Sequence, residues 1–286
     1  MRPNPHQFAV FAYVVREGSF TRASNRLGLS QSAVTQHVAK LEKQIGARLL
    51  HRGREGVALT RTGQEFYELA DRLVTLDALI HEKIDGHASL EKGHLTVIAN
   101  APRPALGLIA RFRKAYPAIQ VRFTLFDWTE AMRLLRTRQV DVAIVTAPDR
   151  TGDCFQQRIS TARYMLYMPS DHPLAMKAEV SLHDLMTETL LIPEEGSFTE
   201  RKVNEALDRE KIVLPHTMQT TTFPVMKEAI LHGVGLGIFL ENSAYPNEGV
   251  VDRPITEMRE KFDTVLVVPA DKSDLKVVRS FIGMVD

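Results

Sequence analysis

The sequence predicts an α/β protein that carries an all-α-rich head. Three observations lead there. Residues 19–41 hold two short runs of helically spaced apolar residues with a glycine between them. Residues 66–84 hold one long apolar stripe, inside a proline-free stretch from 61 to 90. From residue 95 onward, short apolar strands alternate with helical segments, the order of parallel βαβ units.

The head begins with Phe8, Phe11, Ala12 and Val15, spaced as one helix face. Ser19 stands where an N-cap would, ahead of Phe20, Ala23 and Leu27. Gly28 suits a left-handed helix end, and Leu29 returns the chain to the core. Ser30 is the next N-cap. Val34, Val38, Leu41 and Ile45 then form a second apolar stripe that Gly46 ends. The opposite face carries Gln31, Ser32, Thr35, Gln36 and Lys40. Glutamine can bond an adenine edge in two places, hydroxyls reach bases or phosphates, and lysine reaches phosphates. This is the chemistry of a helix that enters a DNA major groove.

An ordinary helix hairpin with a solvated face would share that pattern, so the neighbourhood matters. A basic hairpin follows over 48–60, with Gly53 and Gly56 at its turn and Arg52 and Arg54 placed for phosphates. Residues 1–62 hold ten Lys+Arg against three Asp+Glu, a net of +7, while residues 63–286 hold 26 against 32, a net of −6. A basic head on an acidic body fits a polyanion that meets the head alone.

Phe66, Leu69, Leu73, Leu76, Ile80 and Ile84 step by three or four, close to a heptad seam. A long helix cannot bury that seam against a small head, so a second copy of the chain is the simplest cover. Lys92, Gly93 and His94 read as the hinge into the body.

In the body, strands are expected at 95–99, 119–126, 140–145, 164–168, 189–193, 236–239 and 264–268. Helices are expected at 104–115, 129–137, 198–209, 224–232 and 275–284. Gly233, Gly235 and Gly237 do not make a dinucleotide fingerprint, because the third glycine comes one residue early and no strand precedes them. A tight helix-to-strand turn is expected instead.

Composition limits the function classes. No run can span a bilayer as a helix, so no membrane partner is expected. The polar start without a signal peptide and the single cysteine, Cys154, suit a reducing cytoplasm. No nucleophile elbow or metal-spaced His/Cys set occurs, so neither catalysis nor a metal or other cofactor is expected.

Residues 1–92 resemble the winged helix-turn-helix and linker helix of LysR-type transcriptional regulators. The resemblance rests on Phe8, Phe11, Gly18, Ser19, Phe20, Ala23, Ala33, Val34, Leu41, Glu42, Gly46, Leu49, Arg52, Leu59, Thr60 and Gly63, and on the run from Leu29 to Thr35. Leu50 stands where the family usually has Phe, and Ser24 where it often has Ala. The resemblance implies a winged helix-turn-helix over 1–60 and a dimerising linker helix over 61–92. It further implies an effector-binding domain over 93–286, like periplasmic solute-binding proteins. Subdomain I would span about 93–162 and 265–286, and subdomain II about 163–264. The implied partners are double-stranded DNA, a small effector and a second chain through the linker helix. Assembly to a tetramer and contact with RNA polymerase extend that expectation.

Ligands of open α/β units sit at strand C-termini against helix N-termini. Those positions hold Asn100, Ala101, Pro102 and Arg103, then Trp128 and Thr129, then Thr146. In subdomain II they hold Ser197, Phe198 and Thr199, then Thr220, Thr221 and Thr222. Hydroxyls, helix N–H groups and one guanidinium suit an anionic metabolite. The DNA-facing set is Ser30, Gln31, Ser32, Thr35, Gln36, Lys40, Arg52 and Arg54. Two alternatives stay open: an architectural DNA binder without effector, and a solute-binding or enzymatic module with a DNA-binding head.

Overall fold

The computed structural model describes residues 3–53, 56–84, 93–149, 151–193, 195–220, 223–241 and 249–285. The head packs α1 (Pro5–Glu17), α2 (Phe20–Leu27) and α3 (Gln31–Ile45) around Phe11, Ala23, Val34, Val38, Leu41 and Leu49, all fully buried. Each helix starts on a capping side chain: Asn4 for α1, Ser19 for α2 and Ser30 for α3. Gly28 ends α2 at φ +65°, a conformation that residues with a Cβ rarely adopt. The hairpin follows as β1 (Leu50–Gly53) and β2 (Gly56–Leu59), with Gly53 opposite Gly56.

The linker helix α4 spans Arg61–Ile84, 24 residues, or about 36 Å. Its two faces invert the usual pattern. Leu69, Leu73, Leu76, Ile80 and Ile84 are exposed, while Tyr67, Asp71 and Thr75 are buried. Phe66 leaves the expected seam and stacks on Phe8 of the head, ring centroids 6.1 Å apart.

Among the described residues, the body is built on one nine-stranded sheet. At one end β3 (Gly93–Ala99) runs parallel to β4 (Ile119–Leu125) and β5 (Val142–Thr146), with α5 (Pro102–Ala115) and α6 (Trp128–Arg136) as the intervening helices. At the other end β7 (Leu190–Ile192) runs parallel to β8 (Thr217–Gln219) and β9 (Leu236–Leu240), with α7 (Phe198–Glu210) and α8 (Phe223–Leu231) between. Two antiparallel strands join the ends, β6 (Cys154–Pro169) and β11 (Lys261–Pro269), while β10 (Val250–Pro254) pairs with β6. The chain closes with a 3-10 turn at Ala270–Lys272 and with α9 (Lys276–Ile282).

The sequence pattern starts the second βα unit near residue 163. The structure instead runs one strand of 16 residues through that point. Residues 154–163 escape the apolar pattern because β6 is mostly polar and solvent-touched there and becomes buried only from Tyr164. Short β8 and β10 carry no alternation either, every residue of β8 being exposed. The glycine run behaves as a turn. A Cβ on Gly235 would stand 2.6 Å from the Thr189 carbonyl oxygen, so packing against β7 demands glycine there.

Candidate functional site

On the head, Ser30, Gln31, Ser32, Gln36 and Lys40 are exposed along one face of α3, and Thr35 is half-buried. Ser30 has local work to do: its Oγ accepts the Ala33 N–H at 3.2 Å and lies 2.9 Å from Ser32 Oγ. The Thr21 hydroxyl of α2 donates to Gln31 Oε1 at 3.3 Å, which orients that carboxamide at the start of α3. Arg52 lies on β1, but its side chain, like Arg54, falls outside the described residues.

A cavity of about 140 Å³ lies between the two parallel strand groups of the body. Nine of the residues expected from the sequence line it: Asn100, Ala101, Pro102, Arg103, Trp128, Thr146, Ser197, Phe198 and Thr199. Strand β3 delivers Asn100 and the start of α5. That helix opens on Ala101 without a side-chain cap, and Pro102 and Pro104 lack N–H groups. Arg103 therefore supplies the only N–H of the first three helical positions, together with its guanidinium. Ser197 caps α7 by accepting the Glu200 N–H at 3.1 Å, which leaves the Phe198 and Thr199 positions facing the cavity.

The hydroxyls and amides of the cleft are held by named partners. Asn100 Oδ1 accepts the Thr146 N–H at 3.1 Å, and the Thr146 carbonyl accepts Trp128 Nε1–H at 2.9 Å. The Thr146 hydroxyl meets that of Thr264 at 3.1 Å, joining β5 to β11. The Tyr164 hydroxyl donates to Thr199 Oγ1 at 3.2 Å. Burial pushes the Tyr164 hydroxyl well above its usual range, so it stays a neutral donor. Trp128 stacks on Phe198 at 6.0 Å, and Arg201 sits 4.3 Å over the Trp128 ring. These contacts bridge α6 on one side of the cleft and α7 on the other.

Four expected residues are not part of the described lining. Thr129 donates its hydroxyl to the Gly196 carbonyl at 3.2 Å, so it bridges α6 to the loop before α7 instead. Thr220 is buried, and its N–H and hydroxyl both go to the Ile192 carbonyl. Thr221 and Thr222 lie outside the described residues. The sequence reading missed the other walls: Phe126, Asp127, Tyr164, Pro193, Met226, Phe239 and Leu240. Phe126 and Asp127 adjoin positions already singled out at the strand end. Tyr164, Phe239 and Leu240 come from β6 and β9, whose interior apolar residues look like core. Among the described residues the result is an apolar enclosure with one guanidinium, one N-capping carboxylate (Asp127) and a few hydroxyls.

The sequence agrees with this architecture when compared with known proteins. The model of the bacterial regulatory helix-turn-helix protein, lysR family, matches residues 5–64, and the LysR substrate binding domain matches residues 88–286. The chain belongs to the LysR family of transcriptional regulators. It is 29% identical over 244 residues to the RuBisCO operon transcriptional regulator of Allochromatium vinosum, covering 83% of this chain and 80% of that one. A full-length OxyR variant from Pseudomonas aeruginosa shares the fold with a TM-score of 0.80 at 19% identity, over 100% of this chain and 95% of that one. The regulatory domain of Synechocystis CcmR, solved in complex with 2-PG, superposes with a TM-score of 0.58 at 20% identity, over 68% of this chain and 95% of that one. This LysR-type regulator thus combines a DNA-binding head with an effector-binding body. Among the described residues no helix is long and apolar enough to cross a membrane.

Proposed function

We propose that the regulator is a symmetric DNA reader whose occupancy of operator DNA is set by a small anionic metabolite held between the two halves of its body. The cavity that gathers Arg103, the uncapped start of α5 and the hydroxyls of Ser197, Thr199 and Tyr164 carries this reading. The guanidinium and the helix N-terminus suit one carboxylate or phosphate. The walls of Phe126, Trp128, Phe198, Met226, Phe239 and Leu240 suit an apolar remainder. The bound 2-PG of CcmR, a small anion in a body of the same fold, is in keeping with it.

In the head, Gln31, Ser32, Thr35 and Gln36 read base edges, while Ser30, Lys40, Arg52 and Arg54 hold the backbone. Residues 1–60 act as the winged head, 61–92 as the dimerising helix and 93–286 as the sensor. Subdomain I takes about 93–162 and 265–286, and subdomain II about 163–264. The exposed stripe of Leu69, Leu73, Leu76, Ile80 and Ile84 supports pairing with a second copy. A tetramer, a cytoplasmic setting, contact with RNA polymerase and the absence of catalysis complete the reading.

Calorimetry with benzoate, 2-phosphoglycolate and sulfate tests the sensor. Arg103→Ala should weaken the tightest of these anions by about 10- to 100-fold, the loss of a charge-assisted hydrogen bond. Binding by none of the three anions, or binding left unchanged in Arg103→Ala, would overturn the anion reading. Gel shifts on the gene's own upstream region, with and without the bound anion, test the link to DNA.

A further inference from the structure

The linker helix buries a carboxylate where a packing helix would bury a hydrophobe. Asp71 has no exposed surface and meets three cations from three parts of the chain. Arg16, in the last turn of α1, donates Nε–H to Asp71 Oδ1 at 2.7 Å. Arg138, just after α6, donates Nε–H to Asp71 Oδ2 at 3.0 Å. Lys272, at the end of the turn after β11, places Nζ 3.4 Å from the same oxygen. Around this centre the Tyr67 hydroxyl donates to the Arg138 carbonyl at 3.2 Å, and Arg138 also pairs with Asp271 at 2.7 Å. Lys272 is itself fully buried, and it donates to Asp141 Oδ1 at 3.1 Å.

The positions of Arg138 and Asp141 matter most. Arg138 follows α6, and Trp128 at the other end of that nine-residue helix lines the cavity. Asp141 precedes β5, and Thr146 at the other end of that strand lines the same cavity. Asp141 is fixed by accepting the Thr96 N–H at 2.9 Å. Arg138 holds its place with φ +59°, a strained conformation for a residue with a Cβ. One short helix and one short strand therefore run directly from the effector cavity to a salt-bridge cluster shared with the head. Arg122 of β4, which bonds Glu17 beside Arg16, and Glu82 of α4, whose carboxylate accepts the Lys276 N–H at 3.0 Å, add contacts on either side.

We propose that the Asp71 cluster is the intrachain coupling joint of this regulator, with Arg138 and Lys272 as positioning residues that tie α6 and β5 to the linker helix and head. The cluster couples because buried charges tolerate few arrangements. A shift of α6 must either carry Asp71 and Arg16 with it or leave a charge unpaired. The inference rests on the sensor reading above, and by linkage it works in both directions.

Hydrogen exchange of the full chain tests it, with the gene's upstream duplex as the probe and Trp128, the only tryptophan of the chain, as a second reporter. In the wild type the duplex should change exchange over residues 128–146 by about fivefold or more and alter Trp128 emission. Arg138→Gln and Lys272→Met should still bind the duplex but lose that distant response. Arg138→Gln serves if the fully buried Lys272 site does not accept Met. A response that survives in these variants, or a wild type that binds the duplex with residues 128–146 unchanged, overturns the proposal. Failure to bind the duplex in preference to unrelated DNA would count against the DNA-reading assignment instead. The joint is then read without DNA, from Arg16→Gln, which should speed exchange over 128–146 if the proposal holds and refutes it if exchange there stays at the wild-type rate.

Discussion

Replacing Asp71 by alanine should be among the most damaging single changes available in this chain. The cluster balances three cations, Arg16, Arg138 and Lys272, against three carboxylates, Asp71, Asp141 and Asp271. Without Asp71, Arg138 keeps Asp271 and Lys272 keeps Asp141, but Arg16 loses its acid and the cluster is left one positive charge in excess. Breaking a buried pair from one side costs about 3–5 kcal/mol, and Arg16, with its side chain 14% exposed, keeps only the neutral residue-71 carbonyl and the Thr75 hydroxyl as acceptors. Against a total stability of about 5–15 kcal/mol this is a large fraction. The urea midpoint should fall by on the order of 1 M. Asp71→Ala/Lys272→Met removes one charge of each sign and restores the balance. It should recover about 1–3 kcal/mol relative to the sum of the two single variants. Urea titrations of the wild type, both singles and the double, followed by far-UV circular dichroism, give the cycle. Asp71→Ala within about 0.5 kcal/mol of wild type, or costs that simply add, would refute the claim that the charges are buried and mutually compensating.

The remaining expectations are equally direct. Gln36→Ala should cost about 1–3 kcal/mol on the best operator and relax the preference at one base position. Lys40→Ala should weaken all duplexes alike and lower the salt slope by about one, so competition gel shifts at several salt concentrations separate the two roles. Leu76→Glu, at a position 55% exposed in the single chain, should convert the proposed dimer to monomer in sedimentation without lowering the melting temperature of the body. Acid should loosen the head from the body. Burial alone would raise the Asp71 and Asp141 carboxyls, but Lys272 and Arg16 outweigh it and hold both below the usual range. Glu17 is likewise lowered, against its burial, by hydrogen bonds from Arg122 and Arg26. Groups with depressed pKa stabilise the fold above the ordinary carboxylate range, and that stability is lost as pH falls through and below about 4. Stability should therefore hold between about pH 5 and 8 and drop below about pH 4, and thermal melts across that range check it.

Much of the molecule was legible because local rules dominate it. Ser19, Ser30, Gly28 and Gly46 act as the helix punctuation their types suggest. Buried parallel strands such as Val142–Thr146 announce themselves by unbroken apolar runs. The cavity was half legible. Residues directly after a strand or opening a helix, such as Asn100, Arg103 and Ser197, follow from the general geometry of α/β units. Tyr164, Phe239 and Leu240 gave no signal, because an aromatic that lines a cavity and one that fills a core look alike in sequence. The hydroxyl of Thr220 misled for the complementary reason: a threonine near a strand end can as well satisfy a carbonyl as face a ligand.

By itself the sequence determined the identity of the reader, its polar α3 face, its apolar seam and the alternating body, since each depends on residues close together in the chain. Only the tertiary structure decided what the opposite face of the linker helix meets. Helical periodicity sets Leu69, Leu73 and Leu76 aside for a second copy, and they are exposed in the single chain, but nothing in that pattern marks Asp71 on the other face as buried, which it is. The physical reason lies in Arg16, Arg138 and Lys272, which approach Asp71 from positions 55, 67 and 201 residues away. Their charges make a buried aspartate tolerable and free the leucine seam for another surface.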